Sequence, residues 1–506
     1  IRDDWLRLVG SEMCIRDRTG WVLACLLGLV VLPASHGHAD TLDSALAAAY
    51  RYNPRIDAER ARLRATDESV PEARSGYLPR LDGTADVNIR DSRTRLRDEE
   101  GAGFSPSEGR FVRGTRSGDT VYPRGYGVSV EQNLFDGFRT SNSVAEAEAN
   151  VRAGRETLRD IERQVLQEAV TAYMDVIRDQ AVVRLRENNV SVLTRELTAT
   201  QDRFAEGQVT QTDVSQARAR RARAVSELDA ARAGLKASRA RYQRVIGSPP
   251  SKLREPGVPQ RLMPKSLEGA ISVGIKESPL VIEALYREQA ARHAVDVVRG
   301  ELLPSVNLEA NYVNRFNTNS TVAEEENLAV TGRLNVPIYQ GGAVSARVRA
   351  SKHTHVSRIQ EIEDARTQVR EAIVTAWSRY QSARAQLSSD RIQVRSNKEA
   401  LEGVREEEKV GQRTLLDVLN AEQELVNSQV QLATTRRDLI VAAYALLAAM
   451  GQLSVDNIGV TATVYDPEVH YAEVRRQWWG ISITHADGRR EDVDLWESQG
   501  RHNSVK

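Results

Sequence analysis

Two short stretches of the sequence, EGQVTQTDV at 206–214 and VGQRTLLDV at 410–418, repeat a glycine, a threonine and an aspartate at the same spacing. Glycine tolerates the left-handed backbone conformation that ends a helix. Threonine with an acidic residue three positions later matches the capping box that begins the next helix. Each stretch therefore predicts a tight turn between two helices, and its chemistry is hydrogen bonding. The shared positions are Gly207, Thr210 and Asp213 in the first stretch and Gly411, Thr414 and Asp417 in the second.

Other residues of these stretches are not shared, and capping does not explain them. Arg413 has Val209 as its counterpart, and Thr212 has Leu416. An arginine beside an exposed turn suits a charge-assisted hydrogen bond to a carboxylate. The alternative is that Arg413 pairs with Asp417, four positions on, within one helix.

The remaining sequence offers no set of residues for catalysis. No nucleophile–base pattern, phosphate-binding loop or metal cluster is evident, and His353 and His355 are two positions apart, so they do not share a helix face. Both cysteines, Cys14 and Cys25, precede residue 40. Lys plus Arg and Asp plus Glu number 70 each, which leaves no basic footprint for nucleic acid. We expect neither an enzyme nor a cofactor or metal site.

Residues 19–39 resemble an export signal. A basic flank precedes the apolar run WVLACLLGLVVLP, and small residues follow at the positions that a signal peptidase reads. The run is shorter than the roughly 20 residues that a membrane-spanning helix needs. We expect the mature chain to begin at Asp40. Residues 1–18 resemble translated sequencing-adapter sequence and do not enter the fold argument.

An internal duplication organises the rest of the chain. At an offset of 225, the segment from Thr41 aligns with the segment from Ser266. Beyond the strands the offset becomes 204, so that NLFDG at 133–137 meets PIYQG at 337–341. The change of offset lies in 91–124, whose charge and Gly, Ser and Pro content predict a solvated loop.

Each half predicts the same elements in the same order. A short helix is broken at Asn53-Pro54, or at Ser278-Pro279, where the polar residue suits an N-cap and the proline suits the first helical position. A second helix is expected to run to the Leu-Pro at 78 or 303. The further predicted elements are strands at about 80–90 and 125–135, long helix 138–206 and return helix 211–247 in the first half, and strands at about 304–314 and 328–338, long helix 342–410 and return helix 414–450 in the second. Each long helix would extend roughly 100 Å.

The predicted strands alternate apolar and polar residues. They are about ten residues long, which is the length that crosses a bilayer at a tilt. The simpler interpretation is a half-buried sheet packed on the helices. A sheet of four strands in hydrocarbon must close, because an open edge leaves backbone groups unpaired. Two copies would supply eight strands and three would supply twelve, and strand counting does not choose between these numbers.

The ordered set of features, present twice, resembles the TolC-type outer membrane efflux protein family. The features are the export signal, the duplicated helix–strand–strand–helix halves, the LFDG and IYQGG junctions, and the two tip motifs. The resemblance covers about 41–453. It implies an α+β membrane protein with long α-helical coiled-coil hairpins and four transmembrane β-strands per chain, which contribute to a shared 12-stranded barrel in a trimer. On this basis 40–265 is the first repeat, 266–453 the second and 454–506 a C-terminal tail.

The resemblance also implies a location and partners. The protein would sit in the cell outer membrane, in contact with outer membrane lipid, with a large periplasmic portion. A homotrimer would act with a periplasmic adaptor protein and an inner-membrane transporter, either ABC-type or proton-driven, and export either proteins by type I secretion or small molecules such as drugs. The tail pattern YDP…W is similar to that of relatives in type I secretion. The alternative is an adaptor-like protein or a trimeric adhesin-like helical stalk.

Carried over position by position, the resemblance assigns roles at the tips. Thr212 and Asp213 on one hairpin and Arg413 on the other match a lock that closes the periplasmic entrance, and Asp417 matches an acidic ring there. Two positions depart from the family pattern: Glu408 replaces a tyrosine, and Asn420 replaces an aspartate. The residues expected to dock the adaptor are Gly207, Val209, Thr210, Gly411 and Thr414.

Overall fold

The computed structural model of the protein describes residues 41–95, 104–105, 110–111, 116–319, 321–484 and 490–491. The expected export signal and upstream segment, 1–39, lie outside the described residues, as does the end of the tail after 491.

Helices account for most of the described chain. In the first half they are α1 (Leu42–Tyr52), α2 (Pro54–Asp67), α3 (Ser69–Arg74), α4 (Arg139–Ala205) and α5 (Gln211–Ile246). In the second half they are α6 (Leu267–Glu277), α7 (Pro279–Gly300), α8 (Ala343–Lys409) and α9 (Leu415–Ala449), and in the tail α10 (Val455–Ile458) and α11 (Pro467–Val474). The two long helices, α4 and α8, are each 67 residues long, so the repeat is kept without insertion. None of the helices described is long and apolar enough to cross a membrane.

The side-chain cap expected at Asn53-Pro54 is present, whereas the one expected at Ser278-Pro279 is absent. Asn53 accepts a hydrogen bond from the Arg55 amide at 3.0 Å and donates to the Val245 carbonyl at 2.9 Å, so it joins α2 to the end of α5. Ser278 occupies the equivalent position but makes no side-chain cap bond.

The prediction of one continuous helix up to Leu78 is wrong in the first half. The helix breaks after Asp67, restarts as α3 and ends in a 3₁₀ turn at Ser75–Tyr77. Pro71 explains the break, because its nitrogen carries no hydrogen to bond the carbonyl of Asp67 four residues earlier. The equivalent α7 has no internal proline and is continuous.

Four strands, β1 (Arg80–Val87), β6 (Arg124–Phe135), β7 (Ser305–Phe316) and β8 (Glu324–Asn335), form one antiparallel sheet in the order β1-β6-β7-β8. Its register aligns apolar residues in rows, one of which runs Leu81, Val130, Ala310, Val330. A polar row runs Arg80, Glu131, Glu309, Thr331, so the two faces of the sheet differ as the alternation predicts. The other described strands are β2 (Arg90–Arg95), β3 (Phe104–Ser105), β4 (Arg110–Phe111), β5 (Arg116–Val121), β9 (Ile483–Thr484) and β10 (Arg490–Glu491).

Two strand predictions need correction. The last sheet strand begins at Glu324, opposite Phe316, and ends at Asn335, two residues before Pro337, which cannot donate to a ladder. The segment 91–124 is not only a loop, because β2 and β5 pair as an antiparallel ribbon with Arg90 opposite Val121. Part of this segment lies outside the described residues.

Two apolar cores hold the helices together at equivalent places. In the larger, Val165 and Ala169 of α4 pack with residues of α1, α5 and α9. In the smaller, Val369 and Ile373 of α8 pack with residues of α6, α7 and α9. Val165 corresponds to Val369 and Ala169 to Ile373 at the offset of 204. The duplication therefore extends from the sequence pattern to the packing.

Candidate gate at the hairpin tips

The turns that join α4 to α5 and α8 to α9 have the same backbone geometry. Gly207 and Gly411 have φ of +75° and +78°. The following residue donates to the carbonyl five positions back, as Gln208 does to Arg203 and Gln412 to Glu407, both at 2.9 Å. This is the Schellman arrangement, which satisfies carbonyls at a helix end and favours glycine at the left-handed position.

A capping box then begins each return helix, as the sequence predicts. The Asp213 carboxylate accepts from the Thr210 amide at 2.9 Å, and the Thr210 hydroxyl accepts from the Asp213 amide at 3.3 Å. Thr414 and Asp417 form the same pair at 3.0 and 3.3 Å. These hydrogen bonds lower the pKa of both aspartates, with the threonine backbone amide as the largest cause, so both carboxylates are ionised at neutral pH.

Arg413 is bound within its own hairpin, the second one, which α8 and α9 form; α4 and α5 form the first. Its Nε donates to Glu407 at 2.8 Å, and this bond, followed by the charges of Glu407 and Asp417, raises the pKa of the arginine. The expected alternative partner, Asp417, is therefore near but is not the residue bound. Within the described part of this chain, no bond joins Arg413 to Thr212 or Asp213.

The lock residues nevertheless retain bonding capacity at the surface. Among the described residues, the Nη1 and Nη2 atoms of Arg413 carry no hydrogen bond. Asp213 uses Oδ2 for its cap, and Oδ1 has no partner in the same described range. Thr212 is exposed. These atoms are available to a residue beyond this chain.

The two hairpins are joined near their tips by contacts that the sequence analysis missed. Arg203 on α4 donates to Glu408 on α8 at 2.7 Å. It also donates to Glu196, two turns earlier on α4 itself, at 3.1 Å. Arg220 on α5 donates to Asn420 on α9 at 2.6 Å. The two departures from the family pattern, Glu408 and Asn420, are thus both bound by arginines of the other hairpin. The only signal in the sequence was those departures themselves.

An apolar cluster accompanies these polar links. Leu193 and Ala224 of the first hairpin pack with Leu415 and Leu419 of the second. Within the second hairpin, Arg405 on α8 pairs with Glu422 on α9, which is almost fully buried, and burial raises the pKa of that carboxyl group. The polar links therefore lie beside apolar contacts that hold the hairpins side by side.

The turn residues themselves are accessible. Val410 is 70% exposed, and Phe204 and Leu416 are also exposed large apolar residues at the tips. Gly207, Thr210, Gly411 and Thr414 are exposed, and Val209 is half-buried. No group of three or more potential ligands that could hold a metal occurs among the residues described.

Comparison with known proteins gives consistent results over most of the chain. The family model for "Outer membrane efflux protein" matches residues 45–248 and 270–452. Outer membrane efflux protein BepC of Brucella suis biovar 1 (strain 1330) is 37% identical over 467 residues, covering 92% of this chain and 97% of that protein. Outer membrane protein TolC of Vibrio cholerae is 25% identical and covers 80% of this chain and 89% of that protein.

A solved structure shares the fold. The Campylobacter jejuni CmeC outer membrane channel superposes with a TM-score of 0.68 at 16% identity, covering 86% of this chain and 89% of that chain. At this identity the likeness concerns the fold alone.

Proposed function

Because the chain belongs to the outer membrane efflux protein family, whose members are channels and not enzymes, we propose that three copies form one export channel with a periplasmic tunnel. The sheets would close into a shared 12-stranded barrel in the outer membrane, and the helical hairpins would continue it. An inner-membrane transporter, ABC-type or proton-driven, and a periplasmic adaptor would supply the substrate. The name of the relative BepC supports efflux; type I protein secretion is the alternative cargo class.

The sheet carries this proposal. Within the described residues, β1 and β8 each pair on one side only, so the four-stranded sheet has two open edges. Its apolar side chains are exposed, with Val87 at 86% and Leu328 at 73%. In hydrocarbon, unpaired backbone groups cost several kcal/mol each, so the edges must be paired by strands of other copies.

Disulfide cross-linking should count the copies. With Cys14 and Cys25 replaced by Ser, we expect Thr84→Cys on β1 and a scan of single cysteines over 327–333 on β8 to link β1 of one copy to β8 of the next. One chain cannot make this bond alone, because the two strands are at opposite edges of its sheet. Non-reducing gels of outer membrane fractions should show a ladder that stops at the trimer. A ladder that stops at the dimer would establish an eight-stranded closure, and an absence of linked species would contradict a shared sheet.

At the tips, we propose that Arg413 of one copy reaches Thr212 and Asp213 of another and thereby closes the periplasmic entrance, with Asp417 contributing a ring of negative charge. The unbound Nη atoms of Arg413 and Oδ1 of Asp213 support this assignment. The exposed apolar residues beside the turns support the proposal that Gly207, Val209, Thr210, Gly411 and Thr414 dock the adaptor.

Removing the lock should raise conductance in planar bilayers. We expect Arg413→Ala and Asp213→Ala to increase ion conductance, since each removes one side of a charge-assisted bond that is repeated in every copy. Asp213→Asn should do the same while keeping the capping box, because the side-chain oxygen of asparagine can still accept the hydrogen bond from the Thr210 amide. Glu407→Ala is the control, since it breaks the bond inside the hairpin and leaves the charge of Arg413 intact. Equal effects of Arg413→Ala and Glu407→Ala, or unchanged conductance in Arg413→Ala, would exclude the lock.

A further inference from the structure

The segment 475–483, called here the tryptophan segment, exposes large apolar side chains in a row. Trp478 and Trp479 are 78% and 76% exposed, and Ile481 and Ile483 are exposed as well. Adjacent exposed apolar side chains mark an interaction surface more often than scattered ones do. Gly480, at φ +107°, separates the tryptophans from the isoleucines.

The structure holds this segment in a defined place. α11 lies along α2 and α3: Nδ1 of His470 is 2.9 Å from the buried Asp67 carboxylate, and Tyr471 packs against the apolar cluster around Val70. One turn further, Arg74 donates to the Arg475 carbonyl at 3.1 Å. The partners therefore advance from Asp67 to Arg74 as the tail advances from His470 to Arg475. The tail runs in the same direction as the first repeat, toward the start of β1 at Arg80.

The place where helices meet strands is rich in exposed apolar side chains. Tyr77 is three residues after Arg74, the residue that binds Arg475, and three residues before the start of β1 at Arg80. The exposed large residues at these junctions in both halves include Tyr77, Leu78, Phe138, Leu302, Leu303 and Tyr339. Aromatic side chains flank the apolar band of membrane strands at the level of the lipid headgroups. The tryptophan segment approaches this same level from outside the repeats.

Charge distinguishes a lipid surface from other occupants. Arg475 and Arg476 precede the tryptophans, and 474–484 contains no acidic residue. Tryptophan rings beside arginine are the combination that binds an interface whose headgroups carry phosphate.

We propose that the tryptophan segment is a membrane-interface anchor. Trp478 and Trp479 insert among the phospholipid headgroups of the periplasmic leaflet of the outer membrane, and Arg475 and Arg476 face the phosphates. The contacts of α11 with α2 and α3 transmit this attachment to the base of the sheet, so the anchor sets the depth at which the strands sit. The inference rests on the placement of the sheet in the membrane proposed above.

Depth-dependent quenching tests the anchor. The full-length protein is reconstituted in vesicles that contain phosphatidylcholine brominated either near the headgroup, at carbons 6 and 7, or deeper, at carbons 11 and 12. The difference in emission between the unmodified protein and Trp478→Phe/Trp479→Phe isolates the pair. We expect this emission to be quenched at least twofold more by the shallow bromines than by the deep ones. As a matched control, Trp377→Phe, on α8, should remove only emission that neither lipid quenches.

A second variant separates failure of the anchor from failure of the channel. Leu328→Trp, added to Trp478→Phe/Trp479→Phe, places one new tryptophan on the exposed apolar face of β8, and its emission should be quenched by brominated lipid. If Leu328→Trp is quenched and the native pair is not, the sheet is in the membrane and the anchor is refuted. Blue-shifted, unquenched emission from the pair in that case would assign the segment to a contact with a neighbouring copy. If Leu328→Trp is not quenched either, the placement of the sheet fails and the anchor fails with it.

Discussion

Reversing the charge of Arg203 should open the hairpin tips. Arg203→Glu replaces the bond to Glu408 by repulsion from both Glu408 and Glu196, and we expect a large rise in single-channel conductance. The Arg203 and Glu408 side chains are only 30% and 20% exposed, so water screens the pair less than a surface pair. A hydrogen bond to a charged group contributes about 1.5–3 kcal/mol. Losing a free energy of that size would shift the equilibrium between closed and open tips on the order of 10- to 100-fold per copy.

A charge swap supplies the decisive comparison. Arg203→Glu/Glu408→Arg should recover most of the closure, because it restores opposite charges between α4 and α8. Arg218→Glu, at an exposed position on α5 where no side-chain bond occurs among the described residues, makes the same change in net charge and should leave conductance near that of the unmodified protein. If Arg203→Glu conducts no better than Arg218→Glu, the bond between the hairpins does not hold the tips together.

Replacing Gly137 by alanine should prevent stable folding, whereas the same change at Gly341 should be tolerated. The two glycines are equivalent in the repeat and have similar φ, +71° and +63°, so both substitutions carry the strain of a left-handed alanine, about 1–2 kcal/mol. Only at Gly137 would the new Cβ overlap other atoms, lying 2.8 Å from Cβ of Leu303 and closer still to the Gly300 carbonyl oxygen. At Gly341 no heavy atom of the described part of this chain lies within 4 Å of the added Cβ, apart from the glycine and its two chain neighbours.

The overlap at Gly137 involves backbone, which cannot move aside as a flexible side chain can. We expect a loss of stability of at least about 4 kcal/mol, the range that signals a specific steric or packing failure. Heat-modifiable oligomer in outer membrane fractions and thermal unfolding of the purified protein would measure it. Equal losses for Gly137→Ala and Gly341→Ala would show that backbone strain alone sets the cost and that the close approach of α7 does not matter.

Local features followed from the sequence where their causes lie within a few residues. The tip turns need only glycine, threonine and aspartate at fixed spacing, because the Schellman and capping bonds span five residues at most. The break of the helix before α3 also has a local cause, because Pro71 cannot donate the hydrogen bond that would continue α2. The ribbon formed by β2 and β5 has no such local cause. The pairing of Arg90 with Val121 depends on the whole connection between the two strands, so it could not be predicted from neighbouring residues.

The sequence by itself determined the duplication, the two long helices, the alternating strands and the family, because periodicity and repeated local motifs are properties of the chain order. Only the tertiary structure decided which groups meet. Arg413 binds Glu407, Arg203 crosses to Glu408, and the tail runs beside α3 toward the sheet. These contacts depend on the rotation and crossing of packed helices, and a rotation of one residue, about 100°, would give every one of these side chains another neighbour.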